Sequence, residues 1–335
     1  MEVTSPTKIK RAPVVGITIG NVAGIGPEIV LKSLASMAAE PFTPVIIGDL
    51  RFLQEANEKY ATGLLFDKFD SNASGKNGSI AVVDLDNLNE PFDIGTESAV
   101  AGRASGEYIE KAVAMWKNGQ LDAIATAPIS KRSLAMGGYD FPGHTEFLAA
   151  LTNTQRFAMS FFAEQLRVVL MSTHVSLSQA IELVTTEWLI DLIEFTNESL
   201  SKLLGKNIRI AVAGLNPHAS ENGMFGSEEA EFMEPAIAEA VRSGIDVSGP
   251  YAADTIFLRG FKGEFDAVVA CYHDQATIAV KSLSFGSAVN VTLGLPLIRT
   301  SVDHGTAFDI AGKGIAEESS MCAAIRLAAE LSGGN

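Results

Sequence analysis

Five histidines are the chemistry-bearing residues of a 335-residue chain: His144, His174, His218, His273 and His304. Each lies among turn-forming or polar groups, in Gly143-His-Thr-Glu146, Ser172-Thr-His174, Asn216-Pro-His218, Tyr272-His-Asp-Gln275 and Asp303-His-Gly305. Three follow apolar runs of strand length, at residues 168–172, 208–214 and 266–272. Open α/β sheets place their binding crevices beyond such strand ends. Neutral imidazoles bind zinc well and leave a coordination position for a substrate oxygen, so one reading gathers His174, His218 and His273 around a divalent cation. Their separations of 44 and 55 residues match no local zinc motif, and hydrogen-bonded structural histidines are the alternative. Asp254 and Asp274 are further oxygen donors, to a metal or to the imidazoles, unless they are plain solvated aspartates.

A second set of residues suits a small anion. Gly143-His-Thr-Glu146 puts His144, Thr145 and helix-start N–H groups where a phosphate would bind, although an ordinary N-cap has the same pattern. Lys281, Asn290 and Arg299 add charge and directional donors for phosphate or carboxylate, with solvated surface positions as the alternative for the two cations. The segment Gly20-Asn-Val-Ala-Gly24-Ile-Gly26-Pro27-Glu28 has neither the G-x-G-x-x-G spacing nor a P-loop lysine. Its glycines either permit a tight turn or touch a ligand directly.

The elements that must position these groups alternate in type. An apolar run at 13–19, the glycine turn and a helix from Pro27 open the chain as β-loop-α, proline suiting a first helical position. Strands follow at 43–48 and 79–85, with a helix after Asp49 and a surface loop at 71–78. A long helix at 96–118 precedes a strand at 123–127. Two apolar runs, 157–163 and 168–172, predict a hairpin, and a helix is expected from 176 to about 200. Beyond it come strand 208–213, helix 227–241, strand 266–272, a short helix, strand 288–293 and a final helix at 315–331.

Composition limits the function. With 25 basic and 40 acidic residues, the net charge of -15 repels nucleic-acid backbones and anionic membranes, while a local basic cluster still admits a small anion. No apolar signal region precedes the first strand, no window of 18 apolar residues occurs, and Cys271 and Cys322 make no disulfide framework. The expectation is a cytoplasmic protein with no nucleic-acid or membrane partner.

Taken in order, residues 20–28, Ala125-Thr-Ala-Pro-Ile-Ser-Lys131, Pro142-Gly-His-Thr-Glu146, Asn216-Pro-His218, Tyr272-His-Asp-Gln275 and Val291-Thr-Leu-Gly-Leu-Pro296 resemble the 4-hydroxythreonine-4-phosphate dehydrogenase family. That family includes relatives acting on D-threonate and D-erythronate 4-phosphates. The resemblance, spanning about residues 14–330, implies a two-domain α/β fold like that of isocitrate and isopropylmalate dehydrogenases, with an active-site cleft between the domains. The larger domain would take 1–140 and 285–335, and the second, carrying dimerisation elements, 141–284.

The resemblance also implies site roles. His174, His218 and His273 would bind one divalent metal, zinc favoured and magnesium, manganese or cobalt possible. His144, Thr145, Lys281, Asn290 and Arg299 would bind substrate; Lys281 and His273 are the catalytic candidates, with an ordered water chain the alternative to Lys281 as proton acceptor. The string Asp303-His-Gly-Thr-Ala-Phe-Asp-Ile-Ala-Gly-Lys313 resembles the adenine-side loop of isocitrate and isopropylmalate dehydrogenases, which assigns NAD or NADP to His304, Gly305, Thr306, Ala307 and Asp309.

The implied reaction is oxidation of the 3-hydroxyl of 4-phosphooxy-L-threonine, followed by decarboxylation to 3-amino-2-oxopropyl phosphate in pyridoxal phosphate biosynthesis. The alternative substrates are D-threonate or D-erythronate 4-phosphate, giving dihydroxyacetone phosphate. The resemblance further implies a homodimer whose active sites are completed across the interface. Asn21-Val22 stands where the family commonly has Asp-Pro, and the segment after Ala307 is similar to the sugar-acid branch. A dihydrodiol-oxidising branch fits less well, because the phosphate-type segment around His144 is retained. Outside the resemblance, a metal-dependent lyase without a redox cofactor and a non-enzymatic anion sensor are the rival classes.

Overall fold

The computed structural model describes residues 11–70, 78–284 and 286–333. The expected loop at 71–78 therefore lies, except for Gly78, outside the described residues, as does most of the polar N-terminal segment. The first half alternates β1 (Val14–Thr18), α1 (Gly26–Ser36), β2 (Thr43–Gly48), α2 (Leu50–Tyr60), β3 (Phe66–Lys68), β4 (Ile80–Asp84), α3 (Ala99–Lys117), β5 (Ala123–Thr126), α4 (Lys131–Met136) and α5 (His144–Thr152). Next come the expected hairpin, β6 (Ala158–Ala163) and β7 (Leu166–Leu170), then α6 (Leu177–Glu182), α7 (Thr186–Leu204) and β8 (Ile210–Ala213). The chain continues through α8 (Glu234–Arg242), β9 (Val247–Tyr251), α9 (Ala253–Phe261), β10 (Ala267–Ala270), α10 (His273–Ser284), β11 (Val289–Leu293), β12 (Ile298–Ser301) and α11 (Ser319–Gly333).

All twelve strands form one mixed sheet in the order β3-β4-β2-β1-β5-β12-β11-β6-β7-β10-β8-β9. Strands β3 to β12 in that order are mutually parallel, as are β7, β10, β8 and β9. Strands β11 and β6 join the two parallel blocks by antiparallel pairing. The fold class is α/β. Parallel strands are covered on both faces, which explains their near-continuous apolar runs such as Ile210–Ala213, wholly buried. One apolar core draws on residues between Val15 and Leu148 and again between Leu297 and Ala328; two others cover the opposite faces of the second block.

Local chemistry explains where elements differ from expectation. The single helix expected at 176–200 is two, because Thr185 breaks the run and caps α7, its hydroxyl accepting the Trp188 N–H at 3.2 Å. The helix expected at 227–241 begins with a π-helical turn at Glu229–Met233. The last helix starts at Ser319, later than the apolar pattern indicates. Strand β9 escaped notice because Gly249 and Pro250 interrupt it, which an edge strand tolerates. Among the described residues no helix is long and apolar enough to cross a membrane.

Candidate active site

Strands β7, β10 and β8 lie side by side and parallel, so the arms carrying His174, His273 and His218 leave the same edge of the sheet. The rings of His174 and His273 approach to 6.0 Å between centroids. Together with Ser172, Tyr272 and Asp274 they line a cavity of about 300 Å³. Burial, then the positive charges of Lys131 and His273, holds the His174 pKa below the usual imidazole range and so favours the neutral form that a metal requires. The His273 Nδ1 lies 2.7 Å from Asp274 Oδ1, a contact that fixes the ring and leaves Nε2 for a ligand.

His218 is held differently, in a turn where residues 218–222 have φ of 53°, 52°, 65°, 46° and 57°. Five consecutive left-handed non-glycine residues cost roughly 1–2 kcal/mol each, so neighbouring contacts must impose the turn. Two carboxylates grip the residue before Pro217. The Asn216 N–H donates to Glu229 Oε1 at 2.7 Å, and Asn216 Nδ2 donates to Glu228 Oε2 at 2.7 Å and Glu229 Oε2 at 2.9 Å. His218 itself faces Phe225. Among the described residues, no three His, Cys, Asp or Glu side chains converge closely enough to hold a metal ion. The chain therefore pairs His174 with His273 but does not add His218 to them.

Of the anion-binding candidates, His144, Thr145, Asn290 and Arg299 come together and Lys281 does not join them. Arg299 is 3% exposed on β12, where sequence left a solvated position open. Its Nε and Nη2 donate to Thr126 Oγ1 at 3.2 and 2.9 Å, and its Nη1 to Thr292 Oγ1 at 3.2 Å and Asn290 Oδ1 at 3.5 Å. Every one of these partners is neutral. Burial pulls the Arg299 pKa down to about 9 and the Glu146 carboxylate opposes the shift, so the guanidinium remains cationic at neutral pH. His144, at the first position of α5, is half-buried, and its buried Nε2 has no hydrogen-bond partner. Burial, then the Arg299 charge, holds its pKa well below the ordinary imidazole value.

A buried guanidinium satisfied only by neutral oxygens, beside an orphaned imidazole nitrogen, is costly unless a ligand supplies the missing acceptor. Thr145 Oγ1 lies 3.4 Å from Thr292 Oγ1 and closes the group. No side chain caps the N-terminus of α5 after Gly143, which leaves first-turn N–H groups for an anion. Glu146 acts on both Arg299 and His174, so the anion pocket and the imidazole pair share one electrostatic neighbourhood.

Lys281 lies in a groove of about 420 Å³ with Phe161, His273, Thr277 and Asp303, its Nζ 3.5 Å from the Asp303 carbonyl oxygen. After β12, His304, Gly305 and Asp309 are exposed, while Thr306 and Ala307 are half-buried. This loop rests on the glycine turn: Ile25 N–H donates to Thr306 O at 3.0 Å. A Cβ on Gly24 would stand 2.8 Å from Thr306 O, and one on Gly95 would stand 2.9 Å from Phe308 O. Gly24 thus permits close backbone packing against the loop, which favours the turn reading over direct ligand contact.

Asn21 accepts the Ala23 N–H at 2.9 Å, and its buried Nδ2 has no partner. The fully buried Glu28 pins the far end of the loop, its Oε1 accepting Lys32 Nζ at 2.8 Å and Ala316 N–H at 2.7 Å. Sequence reasoning missed Glu28, Lys131, Glu146 and Glu229 as parts of the site. Glu28, Lys131 and Glu146 lie inside segments that carry the family resemblance, and the four-residue spacing of Glu28 and Lys32 is a further local signal; Glu229 has neither.

Fold and site define an α/β protein in which a buried arginine with neutral hydrogen-bond partners lies near an imidazole pair. Residues 40–328 match the family described as pyridoxal phosphate biosynthetic protein PdxA. The chain belongs to that family. It is 47% identical over 325 residues to a D-threonate 4-phosphate dehydrogenase of Cupriavidus necator, covering 95% of this chain and 97% of the relative. A crystal structure of a 4-hydroxythreonine-4-phosphate dehydrogenase from Klebsiella pneumoniae superposes with a TM-score of 0.88 at 40% identity, covering 96% of this chain and 100% of that one. The corresponding enzyme from Burkholderia phymatum gives 0.84 at 44% identity, with coverage of 96% and 98%.

Proposed function

We propose that this protein is a metal-dependent, NAD(P)-dependent dehydrogenase that oxidises the 3-hydroxyl of a phosphorylated four-carbon hydroxy acid, after which the 3-oxo acid loses carbon dioxide. The observation that carries the reading is the enclosed Arg299 without a carboxylate acceptor beside the orphaned His144 Nε2, a site that calls for an anionic group. The sugar-acid substrates, D-threonate or D-erythronate 4-phosphate with dihydroxyacetone phosphate as product, are favoured by the 47% identity to a D-threonate 4-phosphate dehydrogenase. The 4-phosphooxy-L-threonine reading rests on the two crystal structures, at 40% and 44% identity.

In this reading His144, Thr145, Asn290, Arg299 and the α5 N-terminus hold the substrate's anionic groups and exclude water from them. His174, His218 and His273 would hold zinc or another divalent ion. That ion would supply Lewis-acid stabilisation of developing negative charge, and the dinucleotide a hydride acceptor. Lys281, which shares a groove with His273, would take the hydroxyl proton at Nζ and return one as the product forms. His304, Gly305, Thr306, Ala307 and Asp309 would bind the adenine side of the dinucleotide.

The site would be completed by a second copy of the chain. Supporting this, the arms that carry His174 and His218 expose Leu177, Met224 and Phe225. The two lobes would divide near residues 140 and 285. The test is a substrate panel of threonate, erythronate and 4-hydroxythreonine 4-phosphates with NAD and NADP, read by NADH or NADPH absorbance on enzyme of measured metal content. Absence of cofactor reduction with all three, in zinc-loaded dimer, would remove the dehydrogenase reading and leave the non-redox lyase.

A further inference from the structure

The backbone ladder between the strands carrying His273 and His218 stops early. Strand β10 pairs with β8 only through Ala267–Ile210, Val268–Ala211 and Val269–Val212. Beyond those pairs the two arms have no ladder to set their separation, yet His273 lies four residues past the last paired position and His218 six past its own.

The Gln275 side chain spans this gap. Its Oε1 accepts the Cys271 N–H at 2.7 Å, and its Nε2 donates to the Gly214 carbonyl at 2.8 Å. The first bond is what a residue in the opening turn of a helix makes when it caps that helix. The second leaves the helix for the neighbouring arm and serves no cap. Cys271 adds a weaker tie, its Sγ donating to Ala213 O at 3.3 Å. Its carbonyl accepts Ser172 Oγ at 2.9 Å, so the His174 arm joins the same hub. On the far side, Asn216 is held by Glu228 and Glu229. The stretch between Gly214 and His218 is thereby fixed at both of its accessible anchor points.

We propose that Gln275 is a positioning residue for the metal-binding imidazoles, its amide bridging the His273 and His218 arms of one chain where the β-ladder ends, each arm serving a metal centre that a second copy of the chain would complete. The inference rests on the reading of those imidazoles as metal ligands. Groups that orient metal-binding imidazoles from outside the coordination sphere typically change affinity about 10–100-fold when removed.

Two full-length variants test the bridge. Gln275→Met keeps side-chain length and loses both bonds; Gln275→Glu keeps the acceptor for Cys271 N–H and loses the donor to Gly214. Zinc affinity of the apoprotein, measured by competition with a chromogenic chelator, is expected to fall about 10–100-fold in both. NADH binding and the apoprotein melting temperature should remain near wild type in Gln275→Glu, which a merely structural role would not predict. Wild-type zinc affinity in Gln275→Glu would overturn the bridge while leaving the metal site standing. Equal zinc binding by wild type and His273→Ala would overturn the metal reading itself, and the bridge with it.

Discussion

Replacing Gly24 by alanine tests whether the glycine turn is the bed of the cofactor loop. The new Cβ would stand 2.8 Å from Thr306 O and 2.9 Å from Thr306 Cβ, against an ordinary contact that begins at 3.4 Å. About 0.6 Å must therefore be regained, and the Thr306 carbonyl is tied to Ile25 N–H at 3.0 Å, so it cannot withdraw without straining that bond. Overpacking of this kind costs about 1–3 kcal/mol. If the strain is relieved by displacing the loop, NADH affinity should fall about 5- to 150-fold, with a lower melting temperature. Gly305→Ala is the companion variant, because a Cβ there meets nothing within 4 Å. It should leave the melting temperature unchanged, and any loss of NADH affinity there reports contact with bound cofactor. Titration of NADH fluorescence and a thermal melt measure both quantities. Unchanged NADH affinity in Gly24→Ala despite a lowered melting temperature would refute the bed.

Three further outcomes follow from the site. Arg299→Met removes a buried charge that only neutral groups satisfy, so thermal stability should hold or rise while competition by inorganic phosphate weakens about 10- to 150-fold, the worth of hydrogen bonds to a charged group. Phosphate competition equal to wild type would remove Arg299 from the anion pocket. His218→Ala should lower the zinc content of the purified protein and spare NADH binding, read by elemental analysis; full zinc stoichiometry would exclude it as a ligand. His144 has a folded pKa well below the ordinary imidazole value of 6.5, so below that pH the unfolded chain binds a proton the folded chain refuses. Its neutral burial is fully tolerated above about pH 6.5 and destabilises progressively below it, by up to about 1.4 kcal/mol per pH unit. His144→Gln should flatten the fall in melting temperature between about pH 6.5 and pH 5, and an unaltered slope would contradict that accounting.

The sequence by itself determined what local rules govern. Apolar runs and turn residues marked the opening β-loop-α, the 157–172 hairpin and the strands that precede His174, His218 and His273. The pattern around Gly143 marked the start of α5, because caps and amphipathic stripes are set by neighbours within about four residues. Thr185, capping its own helix, was the local exception: the apolar stripe runs through it unbroken.

Tertiary structure decided the rest. Nothing in β7, β8 or β10 says that they are adjacent, and their order in the sheet is what brings three imidazole arms to one edge. Arg299 reads as a surface cation until β12 is inserted between β5 and β11, where both faces are covered and its guanidinium has only Thr126, Thr292 and Asn290 to donate to. The left-handed turn at His218 has no glycine until Gly223 to announce it, since distant carboxylates at Glu228 and Glu229 impose it. Strand order, burial and imposed backbone strain depend on pairings between residues far apart in the chain, and no short-range pattern of side chains encodes them.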